Sequence, residues 1–138
     1  MSMSYWEQLR TDTRRLRGAV NPAEGLLQFQ LELDGGATRM VALRRDVVQP
    51  DLEMIAIDCP IGPAQQFDLQ AVVAYVGTLL IGRLGYFQGS GGGALTLGTS
   101  IPTVLLDPNQ LRMLLARVHM IAKAAALVEQ QVARPRTM

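Results

Sequence analysis

The stretch that decides the fold is Leu27–Gly36, which reads LQFQLELDGG. Apolar residues at its odd positions alternate with Gln28, Gln30 and Glu32, and this period of two is typical of a β-strand with one buried face. Asp34-Gly35-Gly36 is a turn signal, because glycine tolerates positive φ. Residues 39–45 then place Val41 and Leu43 on one face. The sequence therefore predicts a β-hairpin.

Three further strands follow from the same alternation. Leu52–Cys59 is predicted as the third strand, after a connection at Asp46–Pro50, and Pro60 with Gly62-Pro63 is expected to end it. Arg83–Gln88 and Ala94–Leu106 are predicted as two strands around a glycine run at residues 89–93. Pro102 inside the last strand indicates an edge or a bulge, because proline has no backbone N–H.

Three segments with helical periodicity are present, one before the strands, one between the third and fourth strands, and one after the last strand. An N-terminal helix is predicted from the Ser4-x-x-Glu7 capping box and the apolar positions that follow it. A middle helix is predicted over Leu69–Leu80, with Asp68 as its N-cap and Gly82 closing it. A C-terminal helix is predicted after Asp107-Pro108, with an apolar stripe from Leu111 to Val128.

The resulting order is α-β-β-β-α-β-β-α. Helices that bracket meanders predict an α+β fold, in which three helices pack on an antiparallel sheet of five strands. We expect a single domain over residues 1–133 and a flexible C-terminal tail over residues 134–138.

Composition limits the classes of protein. Of the 138 residues, 49% are hydrophobic and 18% are charged, which excludes a disordered chain. No apolar run approaches the roughly 20 residues of a membrane span. The net charge of +1 is too small to indicate that the chain as a whole attracts nucleic acid. One cysteine and no visible secretory signal predict a cytoplasmic protein.

Candidate catalytic and metal-binding residues are few. The glycine run leads into a predicted strand and lacks the Gly-Lys-Ser/Thr of a phosphate loop, so we interpret it as a hairpin loop. His119 is the only histidine and Cys59 the only cysteine, which is too few ligands for a typical metal site. We expect no metal, no organic cofactor and no enzymatic activity, with a Cys59 nucleophile as the remaining enzymatic alternative.

The middle helix also predicts an oligomer. Apolar residues lie almost all the way round it, including Val72, Val73, Val76 and Leu80. A helix of this kind needs burial on two sides, and one sheet layer covers only one of them. A two-fold partner is the simplest cover, so we expect a homodimer.

The order of elements resembles the type III secretion chaperone (Tir-chaperone) fold and the YbjN-like proteins that share it. The segments that carry the resemblance span nearly the whole chain. They are the first hairpin at Leu26–Asp34 and Thr38–Arg45, the third strand at Met54–Ile57, the middle helix at Leu69–Leu80, and Ala94–Leu97 with Ile101-Pro102 and Asp107 before the last helix.

This resemblance implies a small, non-enzymatic, cytoplasmic homodimer that binds an extended segment of a partner protein. It implies a partner-binding face on the N-terminal helix and early strands. The residues of that face are Trp6, Leu9, Leu16, Phe29 and Leu31. The implied dimer interface comprises Val72, Val73, Val76, Leu84 and Phe87. Each of these residues has core packing as its alternative role.

A regulatory domain that binds nucleic acid or another ligand is the alternative from a different class. The first 45 residues contain seven arginines against five acidic residues, a mildly basic balance. Nucleic-acid binders usually show a stronger basic stripe with aromatic platforms, so a solvated face is the favoured interpretation of these arginines.

Overall fold

The structure, a computed structural model, describes residues 6, 7, 9, 26–33, 35–79, 82–89, 92–106 and 111–132. These residues include five strands: β1 (Leu26–Glu32), β2 (Thr38–Gln49), β3 (Leu52–Pro63), β4 (Arg83–Gly89) and β5 (Gly92–Pro102). The middle helix is Leu69–Thr78 and the C-terminal helix is Leu111–Val132. Trp6, Glu7 and Leu9 are helical, as the predicted N-terminal helix requires. The predicted order of elements and the α+β class are confirmed.

All five strands form one antiparallel sheet in the order β1-β2-β3-β5-β4. The first hairpin has the predicted register, with Leu27 opposite Leu43 and Phe29 opposite Val41. The chain then adds β3 beside β2, and β5 beside β3, so that β1 and β4 become the two edges. Each edge strand therefore has one side of its backbone without a partner strand in the described sheet.

The predicted connection at Asp46–Pro50 is wrong, because β2 continues to Gln49. Asp46 pairs with Met54 and Val47 with Glu53, which leaves only Pro50 and Asp51 as the turn. Two β-branched valines extend the strand, and the proline lies where no ladder hydrogen bond is needed.

The predicted end of β3 at Pro60 is also wrong, because the strand runs on to Pro63. The register with β5 shifts between Pro60 and Gly62, so the prolines sit at an irregularity instead of terminating the ladder. Ile61, at the shift, is fully buried. The bulge thus keeps the strand in the sheet and still delivers an apolar side chain to the core.

Strand β5 is shorter at its end than predicted. It stops at Pro102, and a 3₁₀ turn at Thr103–Leu105 replaces the rest of the expected strand. The Thr103 hydroxyl donates to the Glu53 carbonyl oxygen at 3.2 Å, which holds the turn against β3. The glycine run joins β4 and β5 as the predicted hairpin. Residues 107–110, with the predicted N-cap of the C-terminal helix, lie outside the described residues.

The middle helix begins as predicted and ends early. The Asp68 carboxylate accepts a hydrogen bond from the Gln70 backbone N–H at 3.1 Å, as an N-cap does. The helix ends at Thr78, whose hydroxyl donates to the Tyr75 carbonyl oxygen at 2.7 Å, instead of reaching Leu80. Gly82 follows with φ +83°, a conformation that glycine adopts without strain, and the chain enters β4.

One hydrophobic core lies between the inner face of the sheet and the C-terminal helix, which packs against β2, β3 and β5. Large buried side chains recur at every second position of β3, at Ile55, Ile57 and Cys59, and the small Ala56 between them is buried too. The predicted stripe of the C-terminal helix supplies the other side of the core. Its buried members are Leu114, Val118, Ile121, Ala122, Ala125 and Val128, and Ala124, outside the predicted stripe, is buried as well. The single-domain range 1–133 stays a prediction, and the tail at 134–138 lies outside the described residues.

Replacement of a central leucine tests this core. Leu97→Ala removes a fully buried side chain of β5, and we expect the free energy of unfolding to fall by about 2–5 kcal/mol. Leu105→Ala is the matched control: this leucine is exposed, so its loss is expected to cost under about 0.5 kcal/mol. Urea unfolding followed by circular dichroism measures both. Equal losses in the two variants would contradict the assigned core.

Candidate functional site

The predicted partner-binding residues do not form one exposed face. Trp6 and Leu9 are buried in the core, so a partner reaches them only if the N-terminal helix moves. Leu31 is half-buried and packs against the core. Phe29 lies on β1 opposite Val41, although its side chain is outside the described set, and Leu16 lies outside the described residues.

A groove lies beside the first hairpin among the described residues. It lies between the end of that hairpin and the last turns of the C-terminal helix, and its volume is about 440 Å³. Its lining is mixed: aliphatic side chains alternate with polar and charged ones. The lining residues are Leu33, Ala37, Thr38, Arg39, Lys123, Ala126, Leu127, Glu129 and Gln130. We name this surface the hairpin groove.

Arg39 anchors the wall of the hairpin groove. One guanidinium nitrogen lies 2.7 Å from the Glu129 carboxylate, and the other donates to the Pro60 carbonyl oxygen at 2.8 Å. The Arg39 side chain is only 16% exposed, whereas the Glu129 side chain is 45% exposed, so solvent reaches this charge-assisted pair from the Glu129 side. One side chain therefore ties together β2, the bulge of β3 and the C-terminal helix.

Arg39 and Glu129 were not predicted as site residues. The sequence does contain a signal for Arg39: it lies at the same alternate positions of β2 as Val41 and Leu43, whose side chains face the core. A charged residue at a buried phase needs a partner. Its partner lies 90 positions along the chain, and no local pattern identifies Glu129 in that role.

A second exposed apolar surface lies on the middle helix and β4. Among the predicted dimer residues, Val73 and Phe87 are 54% and 64% exposed. Leu69, one helical turn before Val73, and Tyr86 on β4 are exposed as well. Val72 is fully buried, and Val76 and Leu84 pack against the core. We name Leu69, Val73, Tyr86 and Phe87 the helix–edge surface; Tyr86 and Phe87 project to opposite faces of β4, so it wraps around the edge of the sheet.

Tyr86 on β4 owes its position to a glycine of β5. A Cβ atom at Gly93 of β5 would overlap the Tyr86 ring, so the ring lies directly over the glycine backbone. The Tyr86 hydroxyl also hydrogen-bonds the Gln88 side chain at 3.1 Å. Cross-strand cover of a glycine by an aromatic ring stabilises an edge strand. The ring is thus held in place although it is largely exposed.

Cys59 has the environment of a structural cysteine. Its side chain is buried, and the thiol donates to the Met40 carbonyl oxygen at 3.4 Å. Burial raises the pKa of the Cys59 thiol from 9.0 to about 11, although the nearby Arg39 guanidinium acts in the opposite direction. A nucleophilic cysteine needs its thiolate near neutral pH. This environment therefore argues against Cys59 as a catalytic nucleophile.

His119 lies on the C-terminal helix, away from any described cluster of candidate metal ligands. It is half-buried, and no group of three or more His, Cys, Asp or Glu side chains converges among the described residues. Nor is any helix in this described part of the chain both long enough and apolar enough to span a bilayer.

The raised pKa of Cys59 predicts a pH dependence of stability. The unfolded thiol ionises near pH 9 and the folded thiol near pH 11, so this stabilising contribution is complete below pH 9 and disappears as pH rises towards 11. The loss is on the order of 2 kcal/mol in the free energy of unfolding. Urea unfolding from pH 7 to 11 measures it, with Cys59→Ala as the control that lacks this component. Parallel pH profiles in the two proteins would contradict the assignment.

No protein-family model and no curated protein sequence matches the chain. Solved structures do match it. A chain in the structure of the HopA1-SchA chaperone-effector complex is 16% identical, with a TM-score of 0.57 over 91% of this chain and 94% of that one. A chain in the crystal structure of the ExsC-ExsE complex is 11% identical, with a TM-score of 0.59 over 94% of both chains. The chain therefore has a secretion-chaperone-like α+β fold, as the sequence resemblance implied.

Proposed function

We propose that this chain is a non-enzymatic, homodimeric, chaperone-like module that binds an extended segment of a partner protein. The observation that carries the proposal is the likeness to chains of two complexes, one of them named as a chaperone-effector complex, over more than nine-tenths of each chain. A cytoplasmic location belongs to the proposal, supported by a free, buried cysteine.

The hairpin groove is the proposed site for the partner segment. It adjoins the end of β1, an edge strand whose outer backbone groups have no partner strand in the described sheet. An extended peptide gains main-chain hydrogen bonds by lying along such an edge, and a neighbouring groove receives its side chains. Leu33 and Leu127 provide apolar contact there.

The helix–edge surface is the proposed dimer interface. It combines four exposed apolar side chains on a helix and an edge strand that pack beside each other. Exposed apolar side chains grouped on adjacent elements are typical of an interface, and here Tyr86 and Phe87, as successive residues of a strand, project to opposite faces of the sheet. Of the five predicted dimer residues, Val73 and Phe87 have the exposure that direct contact requires, whereas Val72 supports the interface only from within the core.

Ion pairing disfavours the nucleic-acid alternative. Three arginines of β2 face carboxylates: Arg39 pairs with Glu129, Arg44 with Asp58 at 3.8 Å, and Arg45 with Glu53 at 2.6 Å. Phosphate binding needs cations that are not already neutralised by neighbouring carboxylates. The arginines of the early strands therefore favour a protein partner over nucleic acid.

A bulky residue in the hairpin groove tests partner binding. We expect Thr38→Trp, at an exposed lining position, to fill the groove and weaken binding of the partner segment at least about tenfold. The partner is first isolated with the wild-type chain from its native source, and its protected segment is defined by limited proteolysis. Calorimetry with that segment then compares the variants. Thr78→Trp, exposed on the middle helix, is the matched control, and equal binding by both variants would contradict the groove.

A buried charge tests the dimer. Sedimentation equilibrium of the wild-type chain at micromolar concentration is expected to give twice the chain mass. Val73→Glu places a carboxylate in the proposed interface, where desolvation opposes it, and is expected to shift the mass towards one chain. Val73 is 54% exposed in the single chain, so the fold of this variant is expected to be intact. Val104→Glu, on the exposed 3₁₀ turn, is the control. A wild-type monomer at high concentration would refute the dimer.

A further inference from the structure

The outer side of the C-terminal helix carries an apolar stripe that the core does not use. Met113, Met120 and Leu127 are 50%, 43% and 43% exposed, although each is a large apolar residue. They recur every seven residues, so they lie within about 40° of one another around the helix and span about 21 Å along it. We name these three residues the outer stripe.

The period of seven indicates what kind of element would cover the outer stripe. Side chains repeated at this spacing remain aligned over several turns and accept the side chains of a second helix between them. The side chains on one face of an extended strand recur every two residues, so a strand would contact only single residues of such a stripe. The spacing therefore favours a helical partner.

The charges beside the outer stripe indicate which charges the partner's helix would carry. Helical geometry places Arg117 on one side of the stripe and Arg112 on the other. Between Leu111 and Val128 the helix contains no aspartate or glutamate. The stripe thus has cations on both sides, and a partner helix with acidic flanks would complement them.

The same charges argue against two other occupants. A second copy of this helix would bring cations against cations, which is unfavourable across an interface. An anionic membrane would attract the cations, but the apolar stripe is narrow, whereas interfacial helices bury a broad apolar face with large aromatic or leucine side chains.

We propose that the outer stripe binds an acidic amphipathic helix of a partner protein. This surface is separate from the helix–edge surface and touches the hairpin groove only at Leu127. A partner could therefore be held at the stripe whether or not a segment lies in the groove. The proposal does not depend on the proposed chaperone-like function.

Three synthetic peptides test the proposal against the full chain. The first carries leucines at heptad spacing with glutamate flanks, the second replaces every glutamate by lysine, and the third is the glutamate peptide with a central proline that breaks the helix. We expect the glutamate peptide to bind at least about tenfold more tightly than either of the others. Its affinity is expected to fall as salt is raised. Equal binding of the lysine or proline peptide would overturn the proposal.

Substitutions locate the binding on the molecule. Met113→Ser with Met120→Ser removes the apolar contacts, and Arg112→Gln with Arg117→Gln removes two flanking charges. Each pair is expected to weaken the glutamate peptide about tenfold, and Leu127 stays unchanged because it also lines the hairpin groove. Val104→Ser, at a residue that is 85% exposed elsewhere, is the control. Circular dichroism verifies that each variant folds.

Two results would refute the outer stripe as the site. One is unchanged peptide affinity in both double variants. The other is a combination of two observations. The wild-type chain binds anionic phospholipid vesicles and the Met113→Ser/Met120→Ser variant does not, and the glutamate peptide binds the wild-type chain no better than the lysine peptide does. Loss of peptide binding in Thr38→Trp but not in the methionine pair would assign the peptide to the hairpin groove instead.

Discussion

The packing of the C-terminal helix on one face of the sheet is the constraint on which the rest of the structure depends. Small residues such as Ala122 and Ala125 let the helix backbone approach the strands closely, and Val118 and Val128 fill the space beside them. Arg39 then joins this helix to β2 and β3 through Glu129 and the Pro60 carbonyl oxygen. With one face of the sheet closed, the edges and the outer side of the helix are left for other molecules.

The candidate interaction surfaces follow from that arrangement. The hairpin groove forms where the end of the helix meets the first hairpin, and the helix–edge surface forms at the opposite edge of the sheet. The outer stripe lies on the side of the helix that faces away from the core. None of the three requires the core to open, so each can be occupied while Trp6 and Leu9 stay buried.

Periodicity predicted the elements well because burial imposes it. Leu27 and Leu43 pair across the first hairpin as the alternation implies, and the Asp68 cap is formed. Prolines and glycines were less reliable as signals for the ends of strands. Pro60 does not end β3, because a bulge keeps it in the sheet. The site was harder to predict, because apolar residues of the core and of an interface look alike in sequence. Trp6 and Val73 are equivalent in that respect, and only the fold separates the buried residue from the exposed one.

Hydrogen exchange measured by mass spectrometry, with the chain free and bound to its partner segment, tests the central claim most directly. A segment held in the hairpin groove is expected to slow exchange in residues 26–32 of β1 and residues 123–130 of the C-terminal helix. Exchange in β5 is expected to be unchanged, because this strand is already paired on both sides. Slower exchange confined to the middle helix and β4, with β1 unaffected, would contradict binding in the groove.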